Sequence, residues 1–494
     1  MNGVDREFFV RIKKAITSNP FSSERQMVDR ELAGLPTGAE SDDNVLEELL
    51  YRVSHKLGEI KKKMDHPRNA LGGEDLQLYK YGILFDLFHS FRPEFDALIT
   101  DQIKCEDDSC RVTFAGDILR ELAAAGFSHG DSLRILALFY QMRRAFFFIR
   151  SIFGESTCVQ DLRKSLWNNI FTENIALYEA YLWNRMEDFS TMLLGQTGTG
   201  KGLAASAIGR SGFIPFDEKK QCFAESFAKS FISINLSQYP EQLIESELFG
   251  HKKGAFTGAI ESHHGVLSRC SPFGAILIDE IGDVSIPIQI KLLQVLQERK
   301  FTAVGSRRVE KFQGRVIAAT NQPLIELRKK GRFREDFYYR LCSDVIEVPS
   351  LQQRVKENPE EITILLSFII ERIVGRKSPE LVSEIGRTIS RHKPAHYSWP
   401  GNIRELEQCV RQILLNGTYK WQQTDANQSS EFLQQIDQGE LSAGQLLAGY
   451  CTTLYRRLGT FEAVAKVTKL DRRTVKKHIV QFESKHAQAI NAAE

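Results

Sequence analysis

The chain has 494 residues, 42% of them hydrophobic, which predicts about three or four domains with substantial cores. Its formal net charge is only +2, so the whole chain is not a generic polyanion binder, and any nucleic-acid site needs local clustering of positive charge. Eight cysteines are scattered without CxxC pairs, which argues against disulfide frameworks and zinc sites and favours reduced thiols.

Residues 1–153 are predicted to form a mostly helical regulatory domain. Apolar residues recur there at three- and four-residue spacing, for example from Leu46 to Leu57. The most apolar stretch, residues 133–149, is interrupted by charged and polar residues, so it predicts a buried amphipathic helix rather than a membrane span. The start of the chain lacks a basic-then-apolar signal, and a cytoplasmic location without membrane contact is therefore expected.

A phosphate-binding loop follows the short apolar strand at residues 192–194. The run Gly195-Gln196-Thr197-Gly198-Thr199-Gly200-Lys201 has GxxxxGK spacing, in which glycines let backbone N–H groups converge on phosphate oxygens. Lys201 is expected to reach the β- and γ-phosphates of a nucleotide. The next residue is Gly202, which lacks the hydroxyl that normally binds Mg²⁺. The alternative is a glycine-rich turn that binds nothing.

A second glycine-containing segment reads Gly254-Ala255-Phe256-Thr257-Gly258-Ala259. Its two glycines allow tight turns, so the segment is predicted to project as a loop that carries Phe256 at its tip. An apolar ring on such a tip suits reversible contact with a partner protein. Taken alone, a glycine-rich segment of six residues is more often an ordinary surface turn, and the neighbouring motifs are what favour the partner-binding loop.

Polar residues end three predicted strands. The apolar run from Ala275 ends in Asp279 and Glu280, where Asp279 is expected to hold Mg²⁺ through water and Glu280 to orient and deprotonate an attacking water. Asn235 ends another strand and is a candidate hydrogen-bond partner of Glu280. Asn321 ends a third and is a candidate γ-phosphate sensor. Asparagine is also a common turn former, so each is weak evidence alone.

The C-terminal end combines a polar linker with a basic helix pair. Residues 421–440 contain six glutamines and are predicted to be a linker. Residues 459–482 have the pattern of a helix-turn-helix, with Asp471 as a plausible N-cap of its second helix. Residues 452–494 carry nine Lys or Arg against four Asp or Glu. The candidate DNA-binding residues lie on that second helix: Arg472, Arg473, Thr474, Lys476 and Lys477. A basic solvated hairpin is the alternative.

In this order, the motifs resemble those of the AAA+ activators of sigma-54 RNA polymerase. The resemblance covers about residues 155–415 and returns at the C-terminus, where the helix pair is similar to a Fis-type domain. It rests on the two glycine-rich segments and on the runs ESELFGH, LIDEIGD, KLLQVLQE, FREDFYYRL and WPGNIREL, which begin at residues 245, 277, 291, 333 and 399.

The resemblance implies an α/β AAA+ P-loop ATPase core at 154–350, a helical lid at 351–420, a linker at 421–440 and an all-α helix-turn-helix domain at 441–494. It implies a ring, expected to be a hexamer, that hydrolyses ATP with Mg²⁺, binds double-stranded DNA upstream of promoters and opens the closed complex of sigma-54 polymerase. Residues 254–259 would contact sigma-54. Arg334 and Arg340 resemble arginine fingers, and Arg404 resembles the sensor arginine of the lid.

The chain departs from the family pattern in three places. Gly202 stands where the family often has an acid, the segment from Arg210 to Lys229 looks longer than usual, and the N-terminal region matches neither a receiver nor a common ligand-sensing module. Two alternatives remain in view: a different AAA+ remodeller, against which residues 254–259 argue, and a DNA-binding repressor without ATPase activity, against which Lys201, Asp279 and Glu280 argue.

Overall fold

The computed structural model describes residues 1–35, 42–63, 70–394, 397–421 and 441–491, together with residues 436 and 439. These residues fall into two compact units. The first comprises Met1–Arg376 with Gly401–Arg404, and the second comprises Lys377–Pro400 with Glu405–Glu494. Within the described residues, no helix is both long and apolar enough to cross a membrane.

The N-terminal part of the first unit is helical, as the apolar spacing predicts. Its helices are α1 (Gly3–Thr17), α2 (Ser23–Ala33), α3 (Asp42–Lys63), α4 (Gly73–Ser90), α5 (Arg92–Cys105), α6 (Ala115–Ala124), α7 (His129–Arg150) and α8 (Thr157–Phe171). Helix α7 is the predicted amphipathic helix, and its apolar residues, among them Leu136 and Ile149, are buried. A short helical segment, Ile175–Leu182, then leads towards the sheet.

A five-stranded parallel sheet forms the centre of the first unit. Its strands are β1 (Thr191–Leu194), β4 (Phe231–Asn235), β5 (Ala275–Asp279), β8 (Arg315–Thr320) and β9 (Asp344–Glu347), in the spatial order β4-β5-β8-β1-β9. The register pairs Asn235 with Asp279 and Leu194 with Thr320. The carboxyl ends of these parallel strands therefore meet at one edge, where ligands bind in open α/β sheets.

Helices and two small hairpins surround this sheet. The helices are α9 (Lys201–Gly209), α10 (Glu241–Phe249), α11 (Val266–Arg269), α12 (Ile286–Glu298), α13 (Leu324–Lys329), α14 (Glu335–Leu341), α15 (Leu351–Glu357) and α16 (Glu361–Val374). One hairpin pairs β2 (Phe216–Asp217) with β3 (Cys222–Phe223), and the other pairs β6 (Lys300–Thr302) with β7 (Val309–Lys311). The α/β core and the mostly helical N-terminal part predicted from the sequence are confirmed.

The unusually long segment between the phosphate-binding loop and β4 packs against the N-terminal helices. It contains the β2–β3 hairpin, and the Phe223 ring stacks on Tyr140 of α7 with 4.0 Å between ring centroids. Phe227 meets Phe148 of α7 edge to face at 5.5 Å. The extra residues noticed in the sequence therefore form the surface on which helix α7 rests.

The second unit is helical. Its helices are α17 (Pro379–His392), α18 (Asn402–Asn416), whose first residues belong to the first unit, α19 (Ala443–Leu458), α20 (Phe461–Thr468) and α21 (Arg472–Asn491). Val464, Val475 and Ile479 are buried in a small core with Cys451 and Leu454. Most of the predicted linker at 421–440 lies outside the described residues.

Candidate functional site

The phosphate-binding loop connects the end of β1 to the first turn of α9. Gly198 and Gly200 have φ angles of +80° and +104°, a left-handed region that favours glycine. A Cβ atom at Gly198 would lie 2.3 Å from the carbonyl oxygen of Gly401, so no larger residue fits there. Helix α9 begins after Gly200 without a side-chain cap. The N–H groups of its first turn therefore remain available to an anion.

Lys201 lies at the start of α9 among both cations and anions. Its ammonium group donates hydrogen bonds to the carbonyl oxygens of Gly195, at 2.9 Å, and Gln196, at 3.2 Å. Burial lowers the pKa of Lys201, and Arg404 lowers it further, whereas Glu280 and Asp279 raise it. The lysine, the lid arginine and both acids are thus close enough to interact electrostatically.

The two acids stand at the carboxyl end of β5, as predicted. Asp279 is the last residue of the strand, and Glu280 follows with a left-handed φ of +55°. Burial is the largest influence on Glu280 and raises the pKa of its carboxyl group. The backbone N–H of Asn321 donates to Glu280 Oε2 at 3.3 Å and opposes that rise. A carboxylate of raised pKa beside a phosphate-binding loop suits a general base.

The two candidate asparagines behave differently. The Asn321 side chain donates from Nδ2 to Thr197 Oγ1 at 2.8 Å, which connects the end of β8 to the phosphate-binding loop. Asn235 lies beside Asp279 in the strand register, but its Oδ1 accepts hydrogen bonds from the backbone N–H and the hydroxyl of Ser237. Asn235 therefore caps its own strand end, and the hydrogen bond predicted between Asn235 and Glu280 is made by the Asn321 backbone instead.

Asn402 is a residue of this site that the sequence analysis missed. Its Nδ2 donates to Gln196 Oε1 and to the Thr197 carbonyl oxygen, each at 3.0 Å, and its Oδ1 accepts from the Leu351 N–H. Ile403 N also donates to the Gly198 carbonyl oxygen at 3.1 Å. In the sequence, Asn402 lies within the run WPGNIREL and has no spacing that marks it as a site residue. Its fully buried position and left-handed φ of +53° explain why an asparagine suits it.

The hydrogen-bond donors and carboxylates of this site fit a nucleoside triphosphate with a divalent cation. An uncapped helix N-terminus and Lys201 supply positive charge for phosphates, and Asp279 and Glu280 supply carboxylates for a cation and a water. In the part of the chain that the structure describes, no group of three or more His, Cys, Asp or Glu could hold a metal by itself. The two carboxylates Asp279 and Glu280 beside a phosphate-binding loop fit Mg²⁺, which is usually held by one or two carboxylates together with substrate phosphates. Gly202 is exposed and offers no hydroxyl.

The two candidate arginine fingers are held within their own chain. Arg334 precedes α14 and forms a two-pronged ion pair with Asp336, at 2.7 and 3.0 Å. Arg340 donates from Nε and Nη2 to the carbonyl oxygen of Leu296 in α12, at 3.0 and 2.7 Å. The contact of Arg334 is the more exposed of the two, because its partner, the Asp336 carboxylate two residues away, is itself half-exposed.

The segment 254–259 forms a compact turn between α10 and α11. Gly254 N–H donates to the Ala259 carbonyl oxygen at 2.8 Å, and both Gly254 and Gly258 have positive φ angles, of +79° and +102°. Thr257 is exposed, and Phe256 is half-exposed. The Phe256 ring packs edge to face on His251 with 4.9 Å between centroids. The predicted aromatic residue is therefore held against the base of the turn.

The candidate DNA-binding residues lie on α21 and its first turn. Asp471 accepts hydrogen bonds from the N–H groups of Arg473 and Thr474, at 2.9 Å each, and from the Thr474 hydroxyl, so it is the predicted N-cap. Arg472 pairs with Glu462 of α20 at 2.9 Å. Arg473, Lys476 and Lys477 are exposed and lie three and four residues apart, on one face. Lys469 ends α20 with a left-handed φ of +56°, a position that glycine usually occupies.

Comparison with known proteins finds similarity in the central region of the chain. Residues 174–347 match the family model described as Sigma-54 interaction domain. The chain is 40% identical over 227 residues to the transcriptional regulatory protein GlrR of Escherichia coli (strain K12), which covers 45% of this chain and 47% of GlrR. It is 41% identical over 228 residues to the Nif-specific regulatory protein of Azotobacter vinelandii, covering 46% and 39%.

A third relative is the sigma54-dependent transcriptional regulator SfnR of Pseudomonas fluorescens (strain Pf0-1), 40% identical over 229 residues, which are 46% of this chain and 56% of SfnR. A crystal structure of NtrX from Brucella abortus aligns over 74% of this chain and 80% of that one, with 20% identity and a TM-score of 0.40.

The chain spans about half the length of the curated relatives that it matches. The matched region contains the phosphate-binding loop, the segment 254–259, both acids and both candidate fingers. Residues 174–347 therefore resemble a sigma-54 interaction domain, and over this region the resemblance predicted from the motifs is confirmed.

Proposed function

We propose that the protein is an ATP-hydrolysing transcription activator that remodels the closed complex of sigma-54 RNA polymerase. The observation that carries the proposal is the meeting of Lys201, Asp279, Glu280 and the Asn321 N–H beside the phosphate-binding loop of a sigma-54 interaction domain. A nucleotide-binding edge and the segment 254–259 then belong to one domain, which is the arrangement needed to couple hydrolysis to movement of a partner.

Each residue has a distinct task in this proposal. The first-turn N–H groups of α9 and Lys201 bind the phosphates, and Asp279 would hold Mg²⁺ through water. When bound, the metal would neutralise charge on the phosphates. Glu280 orients the attacking water and accepts its proton, and the Asn321 N–H fixes the carboxylate that does so. Asn321 and Asn402 connect the phosphate-binding loop to β8 and to the lid.

Subunit assembly completes the catalytic site in this scheme. Guanidinium groups stabilise charge on a transferring phosphoryl group, and in a ring they come from the neighbouring subunit. Arg334 is the better placed of the two candidates, because Arg340 is committed through two N–H groups to a backbone carbonyl of its own subunit. Hydrolysis then moves Phe256 and Thr257 against sigma-54, while α21 holds the ring on upstream DNA.

Three variants test the enzyme and its coupling together. Lys201→Ala is expected to lose ATP affinity, Glu280→Gln to keep ATP binding but stop turnover, and Thr257→Ala to keep turnover but fail to open promoters. The assays are equilibrium ATP binding, phosphate release and open-complex formation with sigma-54 polymerase. Normal hydrolysis by Glu280→Gln would refute the catalytic assignment, and normal promoter opening by Thr257→Ala would refute the assignment of the loop.

The same assays separate the two alternatives. A repressor without ATPase activity would release no phosphate in any variant, and a different AAA+ remodeller would hydrolyse ATP without opening sigma-54 promoters. Binding sites of the protein across its own genome, checked for neighbouring sigma-54 promoters, give an independent measure of the proposed role.

A further inference from the structure

A large cavity lies among the N-terminal helices, away from the phosphate-binding loop. Its volume is about 990 Å³, at the upper end of the range for small-molecule sites. Helices α2, α4, α7 and α8 supply most of its wall. The lining contains eight aromatic residues: Phe21, Tyr81, Phe85, Phe88, Phe139, Phe146, Phe153 and Trp167.

The aromatic residues form a connected apolar wall. Phe21 stacks on Phe146 with 5.2 Å between centroids and meets Trp167 edge to face at 6.1 Å. Phe88 meets Phe139 edge to face at 5.4 Å. Walls of this kind bury flat apolar ligands and leave orientation to a small number of polar groups.

The cations of the lining are all arginines. They are Arg25, Arg30, Arg92, Arg143, Arg150 and Arg163, against the four acids Asp29, Asp96, Glu155 and Glu179. Two of the arginines are engaged by the lining's own acids: Arg25 with Asp29 and Arg143 with Asp96. Arg163 donates instead to the carbonyl oxygens of Ile152 and Gly154.

Arg150 differs from those three. It lies over the Phe146 ring, 6.0 Å from the centroid, and no carboxylate partner is found for it among the described residues. Guanidinium groups prefer planar anions such as carboxylates, which they bind through two parallel hydrogen bonds. The rim of an aromatic cavity thus carries an uncompensated carboxylate-binding group.

His89 adds a polar group to the aromatic wall. Its ring lies 4.4 Å from that of Phe85, and its Nδ1 is buried without a hydrogen-bond partner in the part of the chain described. Burial, reinforced by Arg25, Arg92 and Arg143, lowers the pKa of His89 well below its ordinary value, so the ring is neutral. Because this nitrogen is closed off from the cavity, His89 contributes a neutral ring to the lining rather than a hydrogen bond to a ligand.

We propose that this cavity binds a small organic acid with an aromatic body. The aromatic body lies against the wall formed by Phe21, Phe146 and Trp167, and the carboxylate is bound by Arg150.

Helix α7 connects this cavity to the phosphate-binding loop. Phe139, Arg143 and Phe146 of α7 face the cavity, whereas Arg144 is fully buried and donates to the carbonyl oxygens of Arg210 and Gly212, at 2.7 Å each. Arg210 is the residue that ends α9, the helix that begins at Lys201. A ligand that shifts α7 therefore acts on the far end of the phosphate-binding helix, an effect that rests on the proposed ATPase function.

Calorimetry on the full chain tests binding without reference to activity. The probes are benzoate, 2-naphthoate and biphenyl-4-carboxylate, each paired with the neutral alcohol of the same ring system. We expect at least one acid to bind stoichiometrically and at least tenfold more tightly than its alcohol. Arg150→Met is expected to abolish this preference. Arg120→Met, an exposed arginine of α6 outside the cavity, is the matched control.

Three results would overturn the proposal. They are equal affinity for acid and alcohol, no binding of any probe up to millimolar concentration, and an unchanged preference for the acid in Arg150→Met. Phosphate release is then measured with and without the bound acid, where we expect at least a twofold change. Tight binding by a chain that hydrolyses no ATP would refute the proposed function but leave the site intact, whereas hydrolysis without binding would refute the site alone.

Discussion

Gly202 is the single residue at which the phosphate-binding loop departs most from the chemistry expected of it. It is exposed in the first turn of α9, and a Cβ atom there would meet no other atom within 4 Å. Gly202→Ser therefore fits and supplies the missing hydroxyl. We expect it to tighten Mg²⁺-ATP binding about fivefold, or about 1 kcal/mol, which is typical of one added hydrogen bond.

The control for this change is Gly202→Ala, which adds the same Cβ atom without a hydroxyl. Both substitutions remove the helix penalty of glycine, so both are expected to stabilise α9 by about 0.5–1 kcal/mol. The measurement is the Mg²⁺ dependence of ATP binding. Equal Mg²⁺ dependence in the two variants would show that the hydroxyl position plays no part in this loop.

Asn321 allows the two interactions at the end of β8 to be separated. Its backbone N–H binds Glu280, while its side chain binds Thr197, so Asn321→Ala removes only the second contact. Glu280 acts when deprotonated, and burial raises its pKa above the ordinary 4.5, so turnover falls as pH drops through that raised value. We expect Asn321→Ala to lower turnover about tenfold without moving this acidic limb.

The measurement is turnover against pH for the two proteins, with Ser237→Ala as a control that removes only the hydroxyl hydrogen bond to Asn235. If the acidic limb of the pH profile shifts in Asn321→Ala, the side chain of Asn321, rather than its backbone N–H, sets the protonation of Glu280. The sequence placed both acids and both asparagines at one edge because parallel strands end together. Asn235 was predicted to be the partner of Glu280, whereas the Asn321 N–H makes that bond, because the geometry depends on the left-handed backbone of Glu280 itself.

Among the elements, the turn at 254–259 depends on a histidine at its base. His251 Nδ1 lies 2.6 Å from Ser246 Oγ, its Nε2 lies 2.9 Å from the Glu261 carbonyl oxygen, and its ring supports Phe256. His251→Ala removes all three contacts, whereas His251→Phe keeps the ring. We expect amides of the turn, such as those of Gly254 and Ala259, to exchange with solvent about tenfold faster in His251→Ala.

Exchange measured by mass spectrometry distinguishes the two variants. If His251→Phe exchanges as slowly as the unmodified protein, ring packing holds the turn, and if it resembles His251→Ala, the hydrogen bonds do. Equal exchange in all three proteins would contradict a role for His251. The sequence predicted a projecting aromatic tip but not its support, because His251 and Phe256 meet through a fold of the chain that spacing does not reveal.

Helix α21 gives a prediction in which one arginine serves as the control for another. Arg473 is exposed on the face shared with Lys476 and Lys477, while Arg472 is paired with Glu462. If Arg473 contacts a guanine edge, Arg473→Ala is expected to cost about 1–3 kcal/mol at a specific site. Lys477→Ala is expected to weaken binding to all sequences alike and to lower the salt slope by about one unit.

Salt titrations of DNA binding by the full chain measure both effects, with Arg472→Ala expected to cost less than Arg473→Ala. A larger loss in Arg472→Ala would show that its ion pair with Glu462 breaks on binding. The helix pair itself could be predicted because its apolar residues repeat at helical spacing. The left-handed backbone of Lys469 at the turn could not be predicted in this way, since lysine carries no preference for that conformation.

At the scale of the whole molecule, the structure does not divide into separate compact units at the boundary predicted near residue 153. The N-terminal helices and the sheet belong to one unit, Met1–Arg376 with Gly401–Arg404. The contacts that join them, Arg144 with Arg210 and Tyr140 with Phe223, link residues 66 or more positions apart. Such pairs leave no local pattern in a sequence. The sequence showed that the segment 210–229 is longer than usual in the family, but its packing against α7 could not be predicted.

Assembly gives the last prediction, because arginine fingers act between subunits only in a ring. Arg334→Ala is expected to lower ATP hydrolysis by at least 100-fold, since a finger of this kind contributes about 10³–10⁵ in rate. Lys329→Ala, an exposed cation of α13, is the matched control and should hydrolyse ATP normally. A defect of the same size in both variants would indicate general disruption of this surface.

Mixed rings then test whether the finger acts in trans. Arg334→Ala subunits retain Glu280, and Glu280→Gln subunits retain Arg334, so one of the two mixed interfaces unites an intact finger with an intact base. Mixing two inactive proteins should therefore restore part of the activity, with a maximum at intermediate ratios. Mixtures of Arg340→Ala with Glu280→Gln should recover less, because Arg340 holds the Leu296 carbonyl of its own subunit and its loss damages each subunit separately. If mixed rings form, as shown by native mass spectrometry, and Arg334→Ala is rescued at no ratio, Arg334 does not act across the interface.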